Sequence, residues 1–193
     1  MSIIKLKNPK TKKYHDIKKL ILSSALPWTY LKETTPSTNN LLDGYEATVK
    51  KHIKEGVKII NPPMYCHTFL RRSSSRFLYP KVESTFLDDI SLMYCDILNS
   101  NMDDIGKSFG MMCRCNANAV EPFLENNCVT KPHFDHQFPH KNMLIYLTDA
   151  GGKTFVEDEE FAPEEDDVII FKGIHWHELP KEERRVVLVM TYV

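Results

Sequence analysis

No stretch of this 193-residue chain is apolar for anything near the ~20 residues that a membrane-spanning helix needs. The opening residues, MSIIKLKNPKTKK, also lack the continuous apolar segment of a secretory signal. Both absences point to a cytoplasmic protein with no membrane partner. There is no excess of one charge. Lys and Arg total 25 against 26 Asp and Glu, a net charge of -1, so nothing global marks a nucleic acid as an expected partner. The five cysteines (Cys66, Cys95, Cys113, Cys115, Cys128) are odd in number and contain no CxxC pair. That argues against a disulfide framework or a thiolate zinc site and for free thiols in a reducing compartment. Internal repeats and low-complexity tracts are absent as well.

What is present suits one soluble domain, with 42% apolar and 26% charged residues. The N-terminus is locally basic (Lys5, Lys7, Lys10, Lys12, Lys13, Lys18, Lys19) and reads as a solvated helix face. Ile17, Leu20, Ile21 and Leu22 predict a helix over residues 14–25, ended by Pro27 and followed by an extended PWTYL. Residues 33–46 read as a loop. A strand is expected at Met64–Leu70, then a polar, basic loop from Arg71 to Ser75. A second helix is expected over residues 82–99.

From about residue 109 the period changes to two. Met111, Cys113, Cys115, Ala117 and Ala119 form a small, apolar face. Met112, Arg114, Asn116 and Asn118 form a more polar one, which suits a strand lining a wet pocket. Cys113 and Cys115 are read as packing. Residues 143–148, 153–156, 167–171 and 185–193 are further β-branched strands, with a turn at Asp149–Gly152 between two of them. The expected fold class is mainly β with flanking helices. A supporting region (1–108) precedes a strand-rich core (109–193) built as a sandwich or barrel.

Five of the eight histidines fall between residues 133 and 177. His133 and Asp135 are two apart, so on a strand both can face one metal ion. A third ligand must come from elsewhere. His175 and His177 are the candidates, and they would share a strand face, so geometry alone does not choose. Imidazole with carboxylate suits Fe(II), whereas thiolates would favour zinc, and a facial set of three leaves open positions. Arg184 and Arg185 open the last strand. A buried arginine needs an anionic partner, and its planar fork matches a carboxylate. One of the two is expected in a surface ion pair with Glu182 or Glu183. Trp176, pointing away from its neighbours, is read as packing. His136 and His140 are read as surface or supporting histidines.

On HFD at 133–135, LIYLTDAGGKTF at 144–155, DDVIIFKGIHWHELP at 166–180 and RRVVLVMTYV at 184–193, the chain resembles the prolyl-4-hydroxylase-like branch of the 2-oxoglutarate/Fe(II) oxygenases. It is similar in particular to phage-encoded members. The likeness runs from about Arg114 to Val193, with a further match at residues 15–28. It implies a double-stranded β-helix, or jelly-roll, core. It also implies Fe(II) held by His133, Asp135 and His177, with 2-oxoglutarate as cosubstrate and ascorbate as a candidate reductant. Under the same likeness Arg185, Tyr146 and, more weakly, Asn118 contact 2-oxoglutarate. The implied reaction hydroxylates an unidentified substrate, a prolyl or other protein residue or a small molecule, and releases succinate and CO2. The acidic loop between Thr154 and Asp167 is shorter than the family's usual connection. Two rival readings are a cupin-type metalloenzyme that does not use 2-oxoglutarate, and a non-catalytic binding module.

Overall fold

A computed structural model describes residues 3–34, 47, 51, 53–73, 79–105 and 110–193. The expected loop at 35–46 and Ser74 and Ser75 lie outside the described residues. The strands in chain order are β1 (Ile3–Leu6), β2 (Thr29–Leu31), β3 (Lys58–Ile60), β4 (Met64–Arg71), β5 (Lys81–Val82), β6 (Met112–Val120), β7 (Cys128–Thr130), β8 (Lys141–Tyr146), β9 (Thr154–Val156), β10 (Glu159–Phe161), β11 (Val168–Phe171), β12 (His175–His177) and β13 (Arg185–Tyr192). The helices are α1 (Lys12–Leu22), α2 (Leu87–Asn99) and the short α3 (Met102–Ile105). Among the described residues no helix is long and apolar enough to cross a membrane.

The main sheet has eight strands in the order β1-β11-β8-β13-β6-β4-β2, with β5 paired to β4, and its pairs are antiparallel. A smaller antiparallel sheet runs β10-β9-β12, and β3 pairs parallel with β7. Two isolated bridges, Val129 to Glu178 and His133 to His175, connect the β12 edge of the small sheet to β7 and to the segment after it.

Strict alternation divides the main sheet into two working faces. On one face Cys115, Ala117, Ala119, Met143, Ile145, Val168, Ile170, Leu188 and Met190 form the principal core with Ile17 and Ile21 of α1 and Ile90, Met93, Tyr94 and Ile97 of α2. The small side chains of β6 sit opposite helices that bring large ones. On the other face Leu144, Tyr146, Ile169, Phe171, Val187 and Val189 pack with Val156 of the small sheet. Burying each of these aliphatic side chains contributes about 1.5–3 kcal/mol, so register in β8, β11 and β13 is specified from both faces. The period-two reading of residues 109–120 corresponds to this division.

Three local expectations are corrected. The first helix starts earlier, because the Thr11 hydroxyl accepts a hydrogen bond from the Tyr14 amide, and ends at Leu22. The second begins at Leu87 rather than 82, because Val82 pairs with Leu70. The basic N-terminus is more than a helix face. Ile3, Ile4 and Leu6 belong to β1, which pairs along β11 from Ile3–Phe171 to Leu6–Val168. The lysines then meet the acidic loop before β11. Lys5 pairs with Asp167 at 2.7 Å and Lys10 with Asp166 at 2.9 Å, and Lys18 reaches both Glu165 and Asp166.

Candidate metal centre and its pocket

His133 and His175 exchange backbone hydrogen bonds, each N–H donating to the other's carbonyl at 3.0 Å. The exchange turns both imidazoles to one side, with ring centroids 4.3 Å apart. Asp135, two residues on, brings Oδ2 to 3.7 Å from His175 Nε2. One donor atom from each of His133, Asp135 and His175 lies within 4.8 Å of the others.

The protonation states suit metal binding. Burial lowers His133, with Asp135 opposing it, and burial and then His133 lower His175 to about 3. Both rings are therefore neutral at physiological pH and able to donate a lone pair. His133 Nδ1 faces the Lys131 carbonyl at 2.9 Å, so that nitrogen carries the proton and Nε2 is the ligating atom. Burial alone would raise Asp135, but Arg114, the two histidines and Arg72 outweigh it and hold the carboxyl far below its ordinary range.

Asp135 sits among arginines. Arg114 Nη1 donates to its Oδ1, and Arg72 Nη1 donates to its carbonyl oxygen at 2.7 Å. The Asn116 amide, one pleat along β6, is satisfied when it is turned so that its oxygen accepts from Arg114 Nε at 3.1 Å and Nη2 at 2.8 Å and its nitrogen donates to the Cys115 carbonyl at 2.9 Å. The Arg114 charge and burial together pull Arg72 down to about 10, still protonated at neutral pH.

His177 shares the face of His175 but is held differently. Its Nδ1 lies 2.8 Å from Thr154 Oγ1, directly across the strand pair, and its amide donates to Thr130 Oγ1 at 2.9 Å. Thr154 Oγ1 is in turn 2.6 Å from the Tyr146 hydroxyl. Burial, then the Arg185 charge, keeps His177 well below the usual imidazole range, and burial pushes Tyr146 up to about 12. Arg185 is 5% exposed and donates from Nη1 to the Glu178 carbonyl at 2.8 Å. Among the described residues it has no carboxylate partner. Its neighbour Arg184 is exposed and forms the surface ion pair, but with Glu121, just past the end of the neighbouring strand β6, rather than with the expected Glu182 or Glu183.

One pocket between the two sheets is lined by His133, Asp135 and His175, by Arg72 and Arg114, by Tyr146, His177 and Arg185, and by Asn118, whose Oδ1 is buried without a partner among the described residues. Its two ends are set by the β6–β13 ladder. Arg185 pairs with Val120 and Thr191 with Arg114, six residues and roughly 20 Å of strand apart. His136 Nε2, 2.6 Å from Thr191 Oγ1, ties the His133–His136 segment over the Arg114 end. His140 lies outside the ligand group and contacts the Phe138 carbonyl at 2.7 Å. Trp176 faces away from the pocket and stacks on Phe155.

The structure thus gathers His133 and Asp135 as the sequence suggested, and brings His175 rather than His177 to them. It puts Tyr146, His177 and Arg185 together at the other end. Sequence reasoning missed Thr154, and it missed the roles of Arg114 and Arg72. The period-two pattern carried the signal for Arg114, since it shares a face with Asn116 and Asn118. Nothing local marked Arg72 as different from its exposed neighbour Arg71.

No protein-family model and no curated protein matches the chain. Among solved structures it is similar to an oxidoreductase of the 2OG-Fe(II) oxygenase family from Burkholderia pseudomallei, at 14% identity and a TM-score of 0.54 over 96% of this chain and 93% of that one. That likeness establishes the jelly-roll fold. A viral collagen prolyl hydroxylase from Paramecium Bursaria Chlorella virus-1 matches at 13% identity and a TM-score of 0.43, over 85% of this chain and 93% of that one. A Pseudomonas putida prolyl-4-hydroxylase matches at 11% identity and a TM-score of 0.39, over 94% and 99%.

Proposed function

We propose that this chain is a non-heme Fe(II)- and 2-oxoglutarate-dependent dioxygenase that hydroxylates a carbon of its substrate and releases succinate and CO2. The observation that carries the reading is Arg185. It is buried, it lacks a carboxylate partner among the described residues, and it lines the same pocket as His133, Asp135 and His175. An arginine buried without an anion is costly. A cosubstrate with one carboxylate for the metal and another for Arg185 removes that cost.

The residues present fit both groups. Two neutral imidazoles and one ionised carboxylate, with no thiolate in the cluster, are a donor set for Fe(II). His133, Asp135 and His175 would hold the ion, and Arg185 with Tyr146 would hold the remote carboxylate of 2-oxoglutarate. The bound pair supplies the oxidising power for hydroxylation. The chain supplies the rest. The Lys131 carbonyl fixes the His133 tautomer, and Arg114 keeps Asp135 ionised and oriented. The Tyr146–Thr154–His177 hydrogen-bond chain fixes the floor on which the cosubstrate would lie. Leu144, Val187 and Val189 make that floor apolar and exclude water. A cupin-type enzyme that does not use 2-oxoglutarate has no evident need for a buried Arg185.

Anaerobic titration of the metal-free protein with Fe(II) and 2-oxoglutarate tests the reading. The expected result is a visible charge-transfer band that requires both additions and weakens in Arg185→Ala. Metal binding without such a band would transfer the chain to the jelly-roll enzymes that do not use the cosubstrate.

A further inference from the structure

We infer that Arg72 and Arg114 form a subsite for an anionic group on the substrate, a carboxylate or a phosphate, beside the metal and at the opposite end of the pocket from Arg185. The inference rests on the function proposed above and names the substrate class it would serve.

The first observation is charge. The pocket lining contains three guanidinium groups, those of Arg72, Arg114 and Arg185, and one carboxylate, that of Asp135. The rest of the lining contains no lysine, aspartate, glutamate or further arginine. Fe(II) and doubly ionised 2-oxoglutarate cancel one another, so the loaded pocket keeps its cationic surplus. Arg185 and Asp135 are buried and Arg114 nearly so, and a cationic surplus among buried groups calls for a further anion.

The second observation is where that anion belongs. Arg114 already has a carboxylate partner: Nη1 donates to Asp135, and Nε and Nη2 reach the Asn116 amide oxygen once that amide is turned toward them. Arg72 differs. Among the described residues its guanidinium makes one hydrogen bond, from Nη1 to the Asp135 carbonyl, and has no carboxylate partner. Among those residues the remaining donors of its fork are open. Arg72 follows β4 immediately, so the edge of the sheet fixes its backbone while the side chain turns into the pocket. Asp135 offers a separate oxygen to each arginine and to the ion, but its single negative charge cannot balance two guanidinium groups and a metal ion together. Once its carboxylate is shared with the ion, the two guanidinium groups are left undercompensated. A bidentate oxyanion on Arg72 is the arrangement that restores balance. Arg72 is bonded to the backbone of a proposed metal ligand, so an anion held there lies next to the metal. The substrate atom to be hydroxylated would then be close to its own acidic group.

The test uses calorimetric titration of the metal-free full-length protein with inorganic phosphate and, separately, with acetate. Wild type, Arg72→Gln, Arg72→Lys and Arg185→Ala are compared, and each is first checked for an unchanged thermal midpoint. The expected result is saturable binding of at least one anion, weakened at least tenfold in Arg72→Gln, largely restored in Arg72→Lys, and retained in Arg185→Ala. The stronger of the two anions identifies the acidic group. Binding to neither anion, equal affinity in wild type and Arg72→Gln, or loss only in Arg185→Ala would overturn the subsite. The charge-transfer band judges the oxygenase reading independently, so the two can fail separately.

Discussion

His133 and His175 face one another through two reciprocal backbone hydrogen bonds of 3.0 Å, although 42 residues separate them in sequence. That exchange, not sequence spacing, decides which histidine meets Asp135. His177 lies one pleat further along the same strand and is opposite Thr154 instead.

The histidine pair gives the first prediction. His175→Ala should abolish stoichiometric Fe(II) binding. His177→Ala should keep it, weakened by no more than the roughly 10–100-fold typical of an outer partner, and should mainly raise the 2-oxoglutarate requirement through the loss of its contact with Thr154. Anaerobic metal titration of both variants separates the roles. Retained binding in His175→Ala with loss in His177→Ala would move the ligand to His177.

The adjacent arginines should behave very differently. Arg185→Ala removes a buried charged donor and should weaken 2-oxoglutarate binding by about tenfold to a hundredfold, the range expected for a charge-assisted hydrogen bond of about 1.5–3 kcal/mol. Arg184→Ala breaks its exposed pair with Glu121 and its contact with the Tyr65 ring. Its effect on stability should stay under about 1 kcal/mol, with no change in cosubstrate affinity. Comparable losses in the two would contradict the assignment of Arg185.

Gly152 offers a test at a distance from the ligands. Its φ is +81°, and an added Cβ would lie 2.9 Å from the Leu179 carbonyl oxygen and 3.0 Å from that of Glu178. The second oxygen is the one that accepts from Arg185. Gly152→Ala should cost about 1–2 kcal/mol for the left-handed backbone, and should also weaken 2-oxoglutarate binding by displacing the Arg185 anchor. Urea unfolding and cosubstrate titration read the two effects. A stability loss with unchanged cosubstrate affinity would show that Arg185 does not depend on this turn.

Asp166 gives a pH dependence away from the site. Burial acts to raise its carboxyl, but Lys10, Lys18 and Tyr14 outweigh it and hold the group at about 2, against 3.8 ordinarily. A depressed carboxylate contributes stability above its unfolded value and loses it as the pH falls toward the folded one. Asp166→Asn should therefore cost about 1–2 kcal/mol at pH 7, allowing for solvent screening. The difference from wild type should shrink between about pH 4 and pH 2. Asn tolerates the positive φ of 71° at this position, so the backbone adds little. A gap that stays constant through that window would remove the carboxylate's charge as its cause.

The sequence was most legible where one periodicity ran unbroken. In residues 111–119 it separated a helix-facing side from a pocket-facing side, and the structure puts Cys115, Ala117 and Ala119 in one and Arg114 and Asn118 in the other. The HxD pair was legible for the same reason, since two residues on a strand share a side. His175 and His177 also share a side, so choosing between them needed the partner strand. Arg72 was illegible because its inward turn depends on β4 and β6 pairing across more than 40 residues. β1 was hidden by Lys5 and by the lysines that follow it. A four-residue edge strand that runs into a basic segment reads as part of that segment until its partner is known.

That first strand has a consequence for solubility. Behind it lies β11, whose Val168, Ile169, Ile170 and Phe171 are all buried and carry no charge. Without its cover this would be an open, apolar strand edge, a template on which another chain can pair. Part of what keeps the cover in place is ionic, the pairing of Lys5, Lys10 and Lys18 with Glu165, Asp166 and Asp167. At 1 M salt the screening length falls to about 3 Å, and the edge would be guarded mainly by the ladder and by Ile3 and Leu6. Concentrated salt, usually an aid to compactness, would here favour clumping of molecules through β11.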